Sequence, residues 1–438
     1  MSASARILCI GDVHLGRAPT RLRLDNEWYE GLGPREALRR AAREAIELQV
    51  DVVVCTGDVI DQSNAFFEAH RVLRTVAGQL TEAGIPFVAI SGNHDYESLP
   101  ECQKQVPGLT ILGRNGSWEE FVIVRDGTPL LRLLGRSFTD RYQKTNPLEG
   151  FDLPADGVPS VGLLHCDVDV PDSPYAPVDL RSLLATAPSA WLLGHVHKPQ
   201  LLSTRPLILY PGSLQGLDPG EPGVRGPWLV EVSADGQTTA NQLPLAPVRY
   251  ERLEVAIDDL ESIEQVSGAI AEAVSSWRTI NSAELRLTRF VSLRLVLTGS
   301  TTLQQSLAVL AARLTSQRER FDDDEPYIVI DKVLIECSPR IDLATLARSN
   351  DVPGLLAKRL LVLKNQNPHE AYRSLIEQAG AKLANVHADP LFSDIAKDRA
   401  LSEVAIRDTL IRAGTVALHT LLAQQTPAVD HPSPENSG

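Results

Sequence analysis

Five times in its N-terminal half the chain runs through a short apolar, often β-branched stretch and closes it on polar residues. Residues 6–10 lead to Asp12 and His14, residues 51–55 to Gly57 and Asp58, and residues 86–90 to Gly92, Asn93, His94 and Asp95. Residues 161–164 lead to His165, and residues 190–193 to Gly194, His195 and His197. Short apolar runs bounded by Gly and polar residues read as buried strands. Between them, segments 34–49 and 65–83 carry apolar residues at helical spacing with charges on the opposite face. Gly84 and Pro86 supply a stop for the second helix. This alternation predicts an α/β sheet, and in such sheets the loops at the carboxyl ends of the strands converge on one place. The five signatures are therefore expected to meet.

What they would bring together is a ligand set. Asp12 and Asp58 offer carboxylate oxygen, Asn93 an amide oxygen, and His14, His165, His195 and His197 imidazole nitrogen. That mixture suits Mn²⁺, Fe²⁺, Zn²⁺ or Co²⁺, in a quantity that fits two ions. No thiol belongs to any signature, which argues against a structural zinc site. Binuclear sites of this composition cleave phosphate esters, because two cations hold both the attacking and the leaving oxygen. A single His after a strand is ordinarily structural; the weight lies in all five signatures occurring in order. The remaining histidines, His70, His369, His387, His419 and His431, lie in helical or tail contexts and read as surface or structural residues.

From residue 109 the pattern changes. Segments 111–112, 120–124 and 130–134 are separated by Asn115-Gly116 and Asp126-Gly127, both hairpin signals. Segments 207–210 and 228–232 extend the strand-rich character, which Asp235-Gly236 is expected to end. Parallel βα units followed by antiparallel strands predict a mixed sheet. The Pro-rich stretch 243–248 reads as a linker. A strand at 250–257, a helix at 260–277, a strand at 290–297, a helix at 302–320 and a strand at 327–336 form a second α/β unit. Segments 342–363 and 368–422 are helical in pattern, and the polar end 427–438 is expected to be disordered. The expected domains are 1–242, 249–340, a helical region 341–424 and a tail 425–438.

Composition sets limits. At 438 residues the chain exceeds one ordinary domain. No apolar run approaches the roughly 20 residues needed to cross a bilayer, and the N-terminus does not read as a signal peptide. The five cysteines are scattered without a CxxC pair, as expected of reduced thiols in a cytoplasmic protein. Net charge is −14, from 42 basic and 56 acidic residues. That balance argues against tight DNA binding by the chain alone. It does not exclude a nucleic-acid substrate if metals and a partner supply positive charge.

On these motifs the chain resembles the calcineurin-like metallophosphoesterase superfamily, through the whole N-terminal domain. The resemblance implies an α/β fold: a mixed β-sheet sandwich flanked by helices, with a small α/β capping domain and C-terminal helices. It implies that Asp12, His14 and His197 bind a first metal, that Asn93, His165 and His195 bind a second, and that Asp58 bridges them. His94 is then no ligand; it stabilises the transition state or protonates the leaving oxygen, and Asp95 orients it. Water activated by the cations is the implied nucleophile, without a covalent intermediate.

The segment Tyr210-Pro-Gly-Ser-Leu-Gln-Gly216 and the stretch Gly223–Val232 are similar to SbcD-type repair exonucleases, especially their YhaO-like branch. Residues 250–340 have the size of that family's capping domain. Residues 342–363 resemble a region that docks an SMC-like (SbcC-like) coiled-coil ATPase, although an amphipathic helix more often packs on its own protein. The resemblance implies a cytoplasmic, Mn²⁺-dependent DNA exonuclease or endonuclease with a homodimer and that ATPase as partners. A phosphodiesterase of small nucleotides and a non-catalytic scaffold with a structural metal site are the alternatives. Mre-type nucleases often carry His three residues after the bridging Asp, where this chain has Asp61. Arg17, Arg21, Arg23 and Trp28 could touch phosphates or bases, or form a plain solvated loop. Phe66-Phe67 could wedge into duplex ends, but core packing at a helix start is the expectation.

Overall fold

The structure, a computed structural model, describes residues 4–22, 31–61, 66–186, 188–316, 326–365, 370–387 and 402–425. Two six-stranded mixed sheets dominate it. The first contains β1 (Ala5–Ile10), β2 (Val52–Cys55), β3 (Phe87–Ala89) and β4 (Leu109–Ile111), all parallel. The second contains β5 (Glu119–Arg125), β6 (Thr128–Gly135), β7 (Ser160–His165), β8 (Ala190–Gly194), β9 (Gln200–Thr204) and β10 (Leu207–Tyr210), in the order β5-β6-β7-β8-β10-β9. Its inner strands are parallel and its outer pairs antiparallel. The first sheet is completed by β11 (Trp228–Val232), antiparallel to β1 with Ile7 opposite Val230, and by β12 (Thr238–Gln242).

Alternation along β1 explains how the layers stack, because successive side chains leave a strand on opposite faces. Ala5, Ile7 and Cys9 join Val161, Leu163, Leu192 and Leu209 in a core between the two sheets. Leu8 and Ile10 face the other way, against α1 (Pro34–Glu47) and α2 (Phe66–Glu82). In α1 the inward positions are Ala37, Leu38, Ala41, Ala42 and Ala45, so small side chains let the helix lie close on the sheet. The expected sandwich of mixed sheets flanked by helices is what forms.

Several local expectations need correction. Asp126-Gly127 turns the β5–β6 hairpin, both residues having the positive φ (50° and 77°) that a two-residue turn demands. Asn115-Gly116 turns no hairpin, since β4 and β5 belong to different sheets. Asp235-Gly236 does not end the strands but leads into β12. The stretch 243–248 is not a loose linker: Leu245, Ala246 and Val248 are buried.

Beyond it come β13 (Val248–Ala256), β14 (Phe290–Thr301) and β15 (Tyr327–Pro339), a three-stranded sheet in that order. The helices in chain order are α3 (Ser98–Gln103), α4 (Leu180–Thr186), α5 (Ile263–Ile280), α6 (Ser282–Leu285) and α7 (Gln304–Ser316). They continue with α8 (Leu343–Leu346), α9 (Val352–Lys364), α10 (Glu370–His387) and α11 (Glu403–Gln425). By contact the chain falls into two compact units. One comprises Met1–Val255, Val266–Leu297 and Ala308–Ile335; the other comprises Ala256–Gln265, Thr298–Leu307 and Glu336–Gly438. Within the first, Val248, Tyr250, Phe290 and Val329 pack with Leu22 and Leu32. Within the second, Ala357, Leu360 and Leu418 form a small core between α9 and α11. All five cysteines are free. Among the described residues no helix is long and apolar enough to cross a membrane. The expected disordered tail lies, from residue 426 on, outside the described residues.

Candidate metal centre

The five signatures meet. Asp12 and His14 follow β1, Asp58 follows β2, Asn93 and His94 follow β3, His165 ends β7, and His195 and His197 follow β8. The chain takes an unusual path to bring them together. Asp12, His14, Asp58 and His195 have φ of 46°, 51°, 50° and 97°, a region that side chains with a Cβ rarely occupy. Strain of about 1–3 kcal/mol per residue persists only where surrounding bonds over-determine it. Here those bonds are visible. His14 N–H donates to the Asp58 carbonyl at 2.9 Å, His195 N–H to Asp12 Oδ1 at 3.0 Å, and His94 N–H to Asp58 Oδ1 at 2.9 Å.

Two glycines admit this crowding. A Cβ on Gly57, whose φ is 107°, would lie 2.5 Å from His165 Nδ1. A Cβ on Gly92 would collide with the Asp58 carboxylate and lie 2.6 Å from His165 Cε1.

The decisive geometry is in the imidazoles. Each of the four expected histidine ligands turns one nitrogen outward to an oxygen. His14 Nδ1–H donates to Asp61 Oδ1 at 3.0 Å, His197 Nδ1–H to Glu221 Oε1 at 2.7 Å, and His165 Nδ1–H to the Thr56 carbonyl at 3.1 Å. His195 Nε2 faces Asp167 Oδ2 at 3.5 Å. In neutral rings the inward nitrogens then carry lone pairs, and they face other acceptors. His14 Nε2 and His197 Nε2 are 3.0 Å apart. Asn93 Oδ1 lies 3.0 Å from His165 Nε2 and 3.2 Å from His195 Nδ1. Two acceptors at that distance repel unless a cation or proton lies between them. Two nitrogens each about 2.1 Å from one ion at a right angle would sit about 3 Å apart, so the donor set fits a transition metal.

Asp12 Oδ2 is buried without a hydrogen-bond partner, an orphaned charge aimed into the same cluster. Ligand atoms of Asp12, His14 and His197 lie within 4.8 Å of one another, as do those of Asp58, His165 and His195, so either group could hold an ion. A third such group is His14, Asp58 and His94.

The electrostatics agree. Burial disfavours charge on the His165 imidazole, yet the Asp58 and Asp12 carboxylates outweigh it and raise the group to about 9. Burial likewise raises Asp58, but His165 and His14 more than reverse this and hold it below the ordinary carboxylate range. Burial works against the Glu221 carboxylate too, and the bond from His197 overcomes it, pulling the group down to about 2. The cluster is one that calls for positive charge.

Asp95 does not orient His94. Its fully buried carboxylate accepts from the backbone N–H of Gly92 at 2.8 Å, Val59 at 2.7 Å and Ile60 at 3.3 Å, pinning the loops after β2 and β3. Burial and the charge of Asp58 push it upward, against the bonds from Gly92 and Val59. His94 is held instead by Asp61, whose carbonyl accepts from its Nδ1–H at 2.9 Å. The ring stands at the rim of a cleft of about 340 Å³ lined by Asp61, Asn93, Tyr96, Glu97 and Arg141. Arg17 is 3.8 Å from Asp218, and Arg21 has a φ of 60°. Arg23 and Trp28 lie outside the described residues. Phe67 is 84% exposed, contrary to the expected core packing. Asp167 and Glu221 went unnoticed in the sequence, because neither belongs to a signature.

Residues 5–199 match the family model described as Calcineurin-like phosphoesterase. That N-terminal part of the chain is similar to calcineurin-like phosphoesterases. Residues 250–338 match a second model, the middle domain of metallophosphoesterase YhaO. The similarity of residues 5–199 points to hydrolysis of phosphoester bonds, in a family whose members typically bind two divalent metals. The chain is similar to Uncharacterized metallophosphoesterase YhaO of Bacillus subtilis, 26% identical over 267 residues, which are 60% of this chain and 64% of that protein. It is also similar to DNA double-strand break repair protein Mre11 of Methanosarcina acetivorans, 27% identical over 286 residues, 62% of this chain and 44% of that protein. The match thus spans less than two thirds of either relative. A solved dimetal phosphatase from Danio rerio aligns at 14% identity and a TM-score of 0.34, covering 54% of this chain and 98% of that one. Nothing about substrate follows from that last likeness.

Proposed function

We propose that the calcineurin-like domain is a DNA nuclease of the SbcD/YhaO type that hydrolyses phosphodiester bonds with two Mn²⁺ ions. The observation that carries the metal part is the 3.0 Å approach of His14 Nε2 to His197 Nε2 beside the unpartnered Asp12 Oδ2. Asp12, His14 and His197 would hold one ion and Asn93, His165 and His195 the other, with Asp58 beside the second group. When bound, such a pair acidifies water and neutralises the charge that builds on phosphoryl oxygens.

His94 then acts as a general acid. With Nδ1–H anchored on the Asp61 carbonyl, Nε2 is the atom free to deliver a proton to the leaving oxygen. Asp95 serves as a positioning residue, since it fixes the loops that carry Asp58 and Asn93. DNA as substrate is supported by the Tyr210–Gly216 segment and by the similarity to a protein named for double-strand break repair. With a net charge of −14, the chain borrows DNA affinity from a coiled-coil ATPase partner docked on the helical region 341–424. Residues 1–242 are the nuclease domain and 249–340 the capping domain of a cytoplasmic enzyme that pairs with a second copy.

Metal-depleted full-length protein, reconstituted with Mn²⁺, tests this on three substrates. Linear duplex DNA should be cut and bis-p-nitrophenyl phosphate hydrolysed, with cyclic nucleotides left intact. Turnover of cyclic nucleotides alone would assign the small-nucleotide alternative. Failure on all three would leave a scaffold with a structural metal site.

A further inference from the structure

The segment Tyr210-Pro-Gly-Ser213 suggests a nucleic-acid enzyme by resemblance, yet its serine does not face the cleft. Ser213 is fully buried, and its N–H donates to the His197 carbonyl at 2.9 Å. Around it runs a directed chain of bonds. Arg225 Nη1–H donates to Ser213 Oγ at 3.2 Å, and Ser213 Oγ–H donates to Glu221 Oε2 at 3.1 Å. The other oxygen of Glu221 accepts the 2.7 Å bond from His197 Nδ1–H. Leu217 N–H also donates to Glu221 Oε2, at 3.0 Å, and Arg225 donates to the His197 carbonyl. Side chain and backbone of His197 are thus gripped by one partly buried network.

We propose that Glu221, held by Ser213 and Arg225, is the positioning residue of His197, fixing the ring and tautomer that turn Nε2 toward the first metal. The inference rests on the reading of His197 as a metal ligand. A carboxylate has no proton to give when ionised, so a bond this short puts a proton on His197 Nδ1, and in the neutral ring that leaves the lone pair on Nε2. Carboxylate partners of this kind orient ligating imidazoles and raise their basicity. Ser213 and Arg225 keep the carboxylate from rotating away. The Tyr-Pro-Gly-Ser segment accordingly serves the metal centre rather than contacting DNA.

Calorimetric titration of Mn²⁺ into the chelator-treated full chain reads this directly, without substrate. Wild type should take up two equivalents. Glu221→Gln, which keeps volume but not charge, should weaken one equivalent about 10-fold or more and leave the other within about twofold. The melting temperature of the metal-free variant, matched to wild type, is the control for folding. Ser213→Ala unpairs no charge and should weaken the same equivalent by a smaller factor, which keeps the test valid if Glu221→Gln does not fold. Wild-type affinities for both ions in the variants would overturn this inference alone. A wild-type chain that takes up no Mn²⁺ would overturn the metal-centre reading and this inference with it.

Discussion

The backbone N–H of His94 donates to Asp58 Oδ1 at 2.9 Å, so the residue beside the cleft is tied to the central carboxylate by its main chain and not by its ring. Replacing the ring should therefore leave the ligand cluster intact. His94→Gln is expected to lower phosphodiester turnover about 10²–10⁴-fold, the usual worth of a general acid. Both Mn²⁺ equivalents should persist by elemental analysis. Loss of an equivalent would instead favour the grouping of His94 with His14 and Asp58 as ligands.

Gly92 offers a test from packing. Its missing Cβ would strike the Asp58 carboxylate, which cannot retreat because His94 N–H holds it. Gly92→Ala should destabilise the metal-free protein by about 1–3 kcal/mol, as overpacking does, and should abolish metal uptake. A variant that melts and binds Mn²⁺ like wild type would mean that the loop is more pliant than the geometry implies.

Asp12→Asn carries an unusual sign. Asp12 Oδ2 is buried without a hydrogen-bond partner, and when no cation is bound only through-space attraction to His165 and His197 offsets the cost of burying its charge. An amide keeps the acceptor for His195 N–H and puts donors where the lone pairs of His14 and His197 converge. The metal-free variant should be more stable than metal-free wild type by about 1 kcal/mol, and added Mn²⁺ should no longer raise its melting temperature. Thermal melts with and without chelator check both halves; a lower metal-free melting temperature would contradict the argument.

A fourth expectation concerns the scaffold under His165. Arg132 on β6 is buried and donates to Asp156 Oδ1 at 3.0 Å, in the connection that leads into β7. The bond from Arg132 depresses Asp156 from 3.8 to about 2. A depressed carboxylate contributes stability that is present above its unfolded value and lost as pH falls through the folded one. Acid melts of wild type should therefore steepen between pH 3.8 and 2, and Arg132→Met should remove that component. Identical acid profiles would show that the pair contributes nothing, as exposed pairs often do.

Much of this cluster was legible because each signature ends or follows a strand whose apolar run is visible in the sequence, as at 51–55 before Asp58. What escaped notice lacks such an anchor. Glu221 and Asp167 reach their histidines from loops, and nothing in their neighbours marks them. Asp95 was misread because adjacency to His94 suggests partnership, whereas successive residues in a turn point apart and its carboxylate meets backbone N–H groups instead. β9 and β12 went unseen because edge strands with exposed or half-exposed residues, such as Thr204 and Gln242, have no long apolar run. The turn at Asn115-Gly116 was correctly polar and wrongly placed, because a turn signal does not say whether the chain returns to the same sheet.

The central claim is that residues spread from Asp12 to His197 cradle two cations. Anomalous scattering from crystals of the full chain soaked in Mn²⁺ tests it most directly. Two peaks about 3.5–4 Å apart are expected, one beside Asp12, His14 and His197, the other beside Asn93, His165 and His195, with Asp58 touching both. A single peak, peaks elsewhere, or no peak in a crystal that retains this arrangement of side chains would contradict it.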